Sequence, residues 1–186
     1  MAVTQIYLVR HGEPDYEPID SRGLPGMAAD SAPLSAVGMK QAEELADLLG
    51  GIRATYLVTS PLTRALHSAA IIGHRLALGV RVDYDLRDWL PDQTGLWRSI
   101  TDVHAAQAEF EEYDGEWPEG VQRPWEPLSQ VRERARAALA RHTASTDGPV
   151  LAITHATVIR ALTGEKDTAH GAHEYYRYDP ASDAGV

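Results

Sequence analysis

The stretch IYLVRHGEP, residues 6–14, decides how the rest of the chain is read. Its apolar run from Ile6 to Val9 breaks off at Arg10, His11 and Gly12. Such a run reads as a buried strand, and the polar residues after it mark the strand's carboxyl end. Two further runs repeat the design: Tyr56 to Val58 before Thr59 and Ser60, and Val150 to Ile153 before Thr154 and His155. Helical patterns follow. Ser35 can cap a helix burying Val37, Ala42, Leu45, Ala46 and Leu49, and Ser60 with Pro61 at the first helical position opens another running to about Leu78. A third helix sets Leu128, Val131, Ala135, Ala138 and Leu139 on one face, and a short one from Ala156 to Leu162 is stopped by Gly164. This alternation predicts an α/β three-layer sandwich, with a mostly parallel central sheet flanked by helices. The Tyr-rich run Tyr175 to Tyr178 reads as a closing edge strand.

A chain of 186 residues is long enough to bury its own core, so one domain over 1–186 is expected. Its 44% apolar and 24% charged residues are globular values and argue against disorder. With no cysteine, disulfides, thiolate metal sites, iron–sulfur ligation and a cysteine nucleophile are all excluded. The formal charge of −10, without a local basic stripe, argues against a nucleic-acid partner. The start MAVTQIYLVR has no basic region leading into a longer apolar stretch, and no 18 consecutive apolar residues occur. A cytoplasmic protein without a membrane partner is therefore expected. The sequence assigns no oligomeric state.

Residues 88–126 break the rhythm, with turn signals at Pro91, Gly95, Gly115, Pro118, Gly120 and Pro124. The stretch holds all four tryptophans, Trp89, Trp97, Trp117 and Trp125, and ten acids against two bases, Arg98 and Arg123. It is read as a cap insertion with a small apolar core of its own. A cap so rich in tryptophan suits an apolar or aromatic leaving group, and its acids disfavour a substrate with extra phosphates or carboxylates.

Ligands of open α/β sheets bind beyond the carboxyl ends of the strands, where helix N-termini favour anions. Here those ends carry Arg10 and His11, Ser60 and Arg64, and Thr154 and His155. Two histidines and two arginines in one such crevice point to phosphate chemistry. LVRHGEP also resembles the signature of the histidine phosphatase superfamily, with its phosphoglycerate mutase-like fold. Three more family segments recur in order, PLSAVGMKQAEELADLL at 33–49, SPLTRAL at 60–66 and ITHATVIRAL at 153–162, so the likeness runs from about residue 5 to 163.

The resemblance implies that His11 attacks phosphorus to form a phosphohistidine, that Arg10 and Arg64 clamp the phosphoryl oxygens, and that His155 donates a further hydrogen bond. Neutral imidazole is a competent nucleophile near pH 7, and arginine offers a charged planar fork of donors. Neither metal nor cofactor is required. The family's proton donor, a Glu, has its counterpart here in Asp88 after Val80 to Leu86, with Asp92 as second candidate. The branch that uses an Asp after the second histidine is excluded by Ala156. An aspartate near its ordinary pKa of about 3.9 would be ionised at neutral pH, so burial must raise it or the optimum is acidic. Glu13 and Ser60 are further candidates for the pocket, with Ser60 explained equally well as a helix cap. The other histidines, His67, His74, His104, His142, His170 and His173, read as surface or partly buried.

The expected activity is hydrolysis of a small-molecule phosphomonoester. Alternatives are a phosphoglycerate mutase-like phosphotransferase, a protein phosphohistidine phosphatase and a non-catalytic phosphate-binding module. Family mutases carry an Asn-containing loop after the RHG triplet, and this chain contains no Asn. The family also usually has more chain after its last helix.

Overall fold

The structure, a computed structural model, describes residues 3–24, 26–97, 99–144, 146 and 148–180. Arg98 of the charge count and the tail after Pro180, expected to fray, lie outside the described residues. Five strands, β1 (Thr4–Arg10), β2 (Tyr56–Thr59), β3 (Val80–Val82), β4 (Val150–Thr154) and β5 (His173–Tyr178), form one sheet in the order β3-β2-β4-β1-β5. All pairs are parallel except β1 with β5, the closing edge strand that the tyrosine run predicts. The helices are α1 (Glu17–Asp20), α2 (Ala36–Leu49), α3 (Thr63–Leu76), α4 (Ile100–Glu112), α5 (Leu128–Thr143) and α6 (Ala156–Thr163).

Successive strand side chains point to opposite faces, and this alternation builds the three predicted layers. Ile6, Leu8, Val58 and Ala152 meet Val131, Ala135 and Leu139 of α5 and Ile159 of α6 on one face. Val9, Leu57, Leu151 and Ile153 meet Leu45 and Leu49 of α2 and Ala69 and Ile72 of α3 on the other. None of the helices among the described residues is long and apolar enough to cross a membrane.

The structure departs from the sequence reading at four places. Val37 is exposed, because Gly38 instead turns toward the body at the start of the α2 stripe. Ser60 and Pro61 form a turn, and α3 starts only at Thr63 after an extended Leu62. That helix ends at Leu76 on the left-handed Ala77, and the run Val80 to Leu86 is a three-residue strand followed by a 3-10 turn at Tyr84–Leu86. Finally, the 88–126 stretch has no separate core. It contributes α4, and its Phe110 and Trp125 are buried in the same cluster as Ile6 and Leu8.

Candidate active site

Strand register brings the polar strand ends to one level. Arg10 pairs with Thr154 and Thr59 with Ile153, and the next hydrogen bonds run from His11 N to Thr154 O (3.2 Å) and from Ser60 N to Ile153 O (2.9 Å). His11, Ser60 and His155 therefore start from neighbouring backbone positions. The RHG loop also lies hard against α2. A Cβ at Gly12 would collide with the carbonyl oxygen of Gly38, and one at Gly38 with that of Glu13, so both positions need glycine for this close approach.

His11 is buried, and its Nδ1 donates to Gly12 O at 2.7 Å. Arg64 Nε donates to its Nε2 at 3.2 Å. A carbonyl can only accept and a guanidinium can only donate, so the ring is neutral with its lone pair on Nε2. Burial, aided by Arg64, pushes the pKa of His11 down to about 3. The rings of His11 and His155 are 5.0 Å apart. His155 is buried beside Ser60, whose Oγ lies 2.7 Å from its Nε2. Its buried Nδ1 sits 3.3 Å from Asp88 Oδ2, outside hydrogen-bond geometry. Burial holds this imidazole neutral as well, with its pKa well below 6.5.

Arg64, in the first turn of α3, is buried and also donates through Nη2 to Asp88 Oδ2 at 2.8 Å. Burial alone would raise the pKa of Asp88, but the Arg64 guanidinium paired with it outweighs that and holds it well below the usual carboxylate range. Of the two expectations for this acid, a pKa raised by burial or an acidic optimum, the free site does not fit the first, because the neighbouring cation decides. Arg10 points its Nη1 at Thr168 O (2.6 Å) and its Nη2 at His170 Nε2 (2.9 Å), and its buried Nε has no partner.

Arg10, His11, Arg64 and Asp88 line a cleft of about 890 Å³, together with Tyr16, Leu24, Met27 and Asp30 and with Trp89, Trp97, Ile100 and Phe110. Of the ten cap acids only Asp88 and Glu111 line it, joined by Asp20 and Asp30 from outside the cap. The acids Glu109, Glu111, Asp114 and Glu126 are ion-paired, with Arg123, Arg160 and Arg134 among their partners. Glu111 is thus held by Arg160 at 2.8 Å while it borders the cleft. Among the described residues no group of three or more His, Cys, Asp or Glu side chains is arranged to hold a metal ion.

Two of the candidates, Asp92 and Glu13, lie away from the cleft, and one of the two readings of Ser60 falls away. Asp92 accepts from Thr94 N (2.8 Å) and Thr94 Oγ1 (2.7 Å) and does not line the cleft. Glu13 accepts from Ser35 Oγ at 2.7 Å, at the cap of α2, and does not line the cleft either. Ser60 is not an N-cap of α3 but the partner of His155. His170, read as an ordinary partly buried residue, belongs with the site: its ring is 5.5 Å from that of His11. The signal was the edge strand itself. β5 starts with His173 opposite Val9, so the residues just before it must flank the carboxyl end of β1.

Residues 6–182 match the family described as histidine phosphatase superfamily, branch 1. The chain belongs to that superfamily. It is 33% identical over 175 residues to the glucosyl-3-phosphoglycerate phosphatase of Mycobacterium tuberculosis, covering 88% of this chain and 75% of the relative. An uncharacterized phosphatase of Bacillus subtilis, PhoE, is 29% identical over 166 residues, covering 88% and 77%. A solved mycobacterial glucosyl-3-phosphoglycerate phosphatase superposes with a TM-score of 0.67 at 26% identity, over 88% of this chain and 79% of that one. Bacillus stearothermophilus YhfR, at 18% identity and TM-score 0.70 over 95% of both chains, shares the fold. The histidine phosphatase is accordingly a phosphomonoester hydrolase.

Proposed function

We propose that this histidine phosphatase hydrolyses its phosphomonoester by double displacement at His11. The observation that carries the reading is the Nδ1 bond of His11 to Gly12 O, which leaves the lone pair of a neutral imidazole on Nε2, beside Arg64. Nε2 attacks phosphorus as the ester P–O bond breaks, and the leaving alkoxide takes the proton of Asp88. Water, giving a proton back to Asp88, then attacks phosphorus, and the P–N bond breaks with its electron pair returning to Nε2. Phosphoryl transfer needs chiefly positioning and charge stabilisation, which Arg64 and Arg10 from the cleft lining, together with His155 beside Asp88, would supply. Neither a metal nor a cofactor enters this sequence.

Asp88 is ionised in the free site because Arg64 is paired with it. A phosphate dianion that recruits Arg64 replaces this cation by negative charge and so raises the pKa of Asp88 toward the value an acid needs. Alternatively the proton arrives on a phosphate monoanion, whose second pKa is about 6. Both routes make hydrolysis of alkyl phosphates faster on the acidic side of neutrality.

Leu24, Met27, Trp89, Trp97, Ile100 and Phe110 favour an apolar or aromatic leaving group, and Asp20, Asp30 and Glu111 disfavour a carboxylate there. The phosphoglycerate ester in the relatives' name is the competing substrate class. The mutase reading has narrower support: the probable phosphoglycerate mutase of Proteus mirabilis matches 84 residues, 45% of this chain.

The test is hydrolysis of 4-nitrophenyl phosphate and of alkyl phosphates with chelator present, over about pH 4.5 to 8. The wild type, His11→Ala and Asp88→Asn are compared. Expected are loss of all turnover in His11→Ala, and in Asp88→Asn a loss of about 10² to 10⁴ on alkyl esters but under about tenfold on the aryl ester. Equal turnover in wild type and His11→Ala overturns the mechanism. A higher kcat/KM for phosphoglycerate than for aryl phosphates overturns the leaving-group reading.

A further inference from the structure

Asp88 has a shorter side chain than the glutamate of the family pattern, by one methylene. Its carboxylate reaches Arg64 and His155 only if the main chain beneath it is held close. That main chain belongs to no strand or helix; it follows the 3-10 turn at Tyr84–Leu86. Besides backbone bonds from Arg87 N to Tyr84 O (3.0 Å) and from Glu126 N to Leu90 O (2.9 Å), side chains hold it. Arg134 of α5 donates through Nη1 to Asp85 O (2.7 Å) and Arg87 O (2.8 Å) and through Nη2 to Asp88 O (3.1 Å). Thr154 Oγ1, at the end of β4, donates to the intervening Leu86 O at 2.9 Å. Four consecutive carbonyls, 85 to 88, are thus bound by two side chains.

Arg134 is itself fixed by Glu126, through Nε to Oε1 at 2.6 Å and Nη2 to Oε2 at 2.9 Å. A guanidinium has five N–H donors, and these five bonds use all of them. Both partners are nearly closed to solvent, with side-chain exposures of 9% and 3%. Taking an ion pair out of water is costly, and hydrophobic residues of similar volume often serve stability as well or better. What an apolar pair could not do is bind three carbonyls in a planar fork. Glu126 adds a second hold on the same segment, since its backbone O accepts from Trp89 Nε1 at 2.6 Å and its Oε2 from Leu90 N at 3.4 Å.

We infer that Arg134, oriented by Glu126, is a positioning residue that sets the reach of the Asp88 carboxylate, with Thr154 as its partner from the sheet. This rests on the reading of Asp88 as proton donor. Misplacing a catalytic group by about 1 Å can cost about a hundredfold in rate. The loss should fall on the step that needs the proton, since an aryl leaving group departs with little help.

Full-length wild type, Arg134→Lys, Asp88→Asn and the double variant are compared on 4-nitrophenyl phosphate and glycerol 2-phosphate, with vanadate inhibition as a gauge of the phosphate clamp. Arg134→Lys keeps the charge but has three donors in place of the fork. It is expected to lower kcat on the alkyl ester by about ten- to a hundredfold and the alkyl-to-aryl ratio by about tenfold or more. Vanadate inhibition should stay within about twofold, and in the Asp88→Asn background the same change should cost nothing further on the alkyl ester. Equal losses on both esters, or a full additional loss in that background, overturn the inference. If Arg134→Lys does not give folded protein, Thr154→Val decides by the same ratio. A fall supports the cradle and an unchanged ratio overturns it. Failure of the parent reading shows separately, as an unchanged alkyl-to-aryl ratio in Asp88→Asn, which removes the inference with it.

Discussion

The two sides of the cleft are held in place by different physics. On the side proposed to take the phosphate, His11, Ser60 and His155 each follow directly from a buried strand, and the register of the parallel sheet sets their spacing. On the side proposed to face the leaving group, Asp88 and Trp89 follow a 3-10 turn and are tied down by a buried arginine and glutamate. Backbone ladders make the first side insensitive to single side chains. The second side depends on a few polar bonds, so substitutions far from the cleft should alter leaving-group preference before they alter phosphate binding.

The most severe break is expected from Arg64→Ala, which strikes both sides at once. Loss of this donor from the phosphoryl site should lower kcat/KM by about 10³-fold. Because the cation paired with Asp88 disappears, the pKa of that carboxyl rises. The alkaline limb of the pH profile on an alkyl ester should therefore move to higher pH, and an unmoved limb would separate Arg64 from Asp88.

Ser60→Ala removes the hydroxyl that orients His155. A loss of about tenfold in kcat is expected, alike for aryl and alkyl esters, as for other groups that act by orienting a ligand. If instead the alkyl ester alone suffered, His155 would belong to the proton-donor side.

Acid should expose the cost of burying neutral imidazoles on the phosphate side. His11 has its pKa pushed from 6.5 to about 3, and His155 is also well below 6.5. Between these limits the unfolded chain binds more protons, so stability falls as pH drops, by up to about 1.4 kcal/mol per pH unit for each histidine. Urea midpoints at pH 7 and 5 check this, and His155→Gln should flatten the slope. The smallest effect is expected from Asp92→Asn, whose carboxylate serves a turn at Thr94. Its alkyl and aryl turnover should match wild type within about twofold, and a selective alkyl loss would move the acid from Asp88 to Asp92.

The same division governs what could be read beforehand. Apolar runs ending in Arg10, His11 and His155 are legible because a buried strand has a plain pattern and its end has a known use. Ser60 stayed open between pocket and helix cap because a Ser-Pro pair suits a helix cap and a turn equally well in one dimension. Arg134 left a fainter trace, since it shares the face of Val131 and Ala138, where an unpaired arginine would be out of place. Nothing local pairs it with Glu126 or with three carbonyls some 46 to 49 positions away.

By itself, then, the sequence determined the α/β sandwich, the strand ends that carry the site and the residue types that meet there. These follow from short-range periodicity and from the requirement that polar groups end a buried run. Only the tertiary structure decided which nitrogen of His11 is free, that Arg64 holds Asp88 ionised, and that Arg134 and Thr154 seat the segment that carries it. Protonation, pairing and reach depend on distances of a few ångströms between residues remote in the chain, and those distances exist only once the chain has folded.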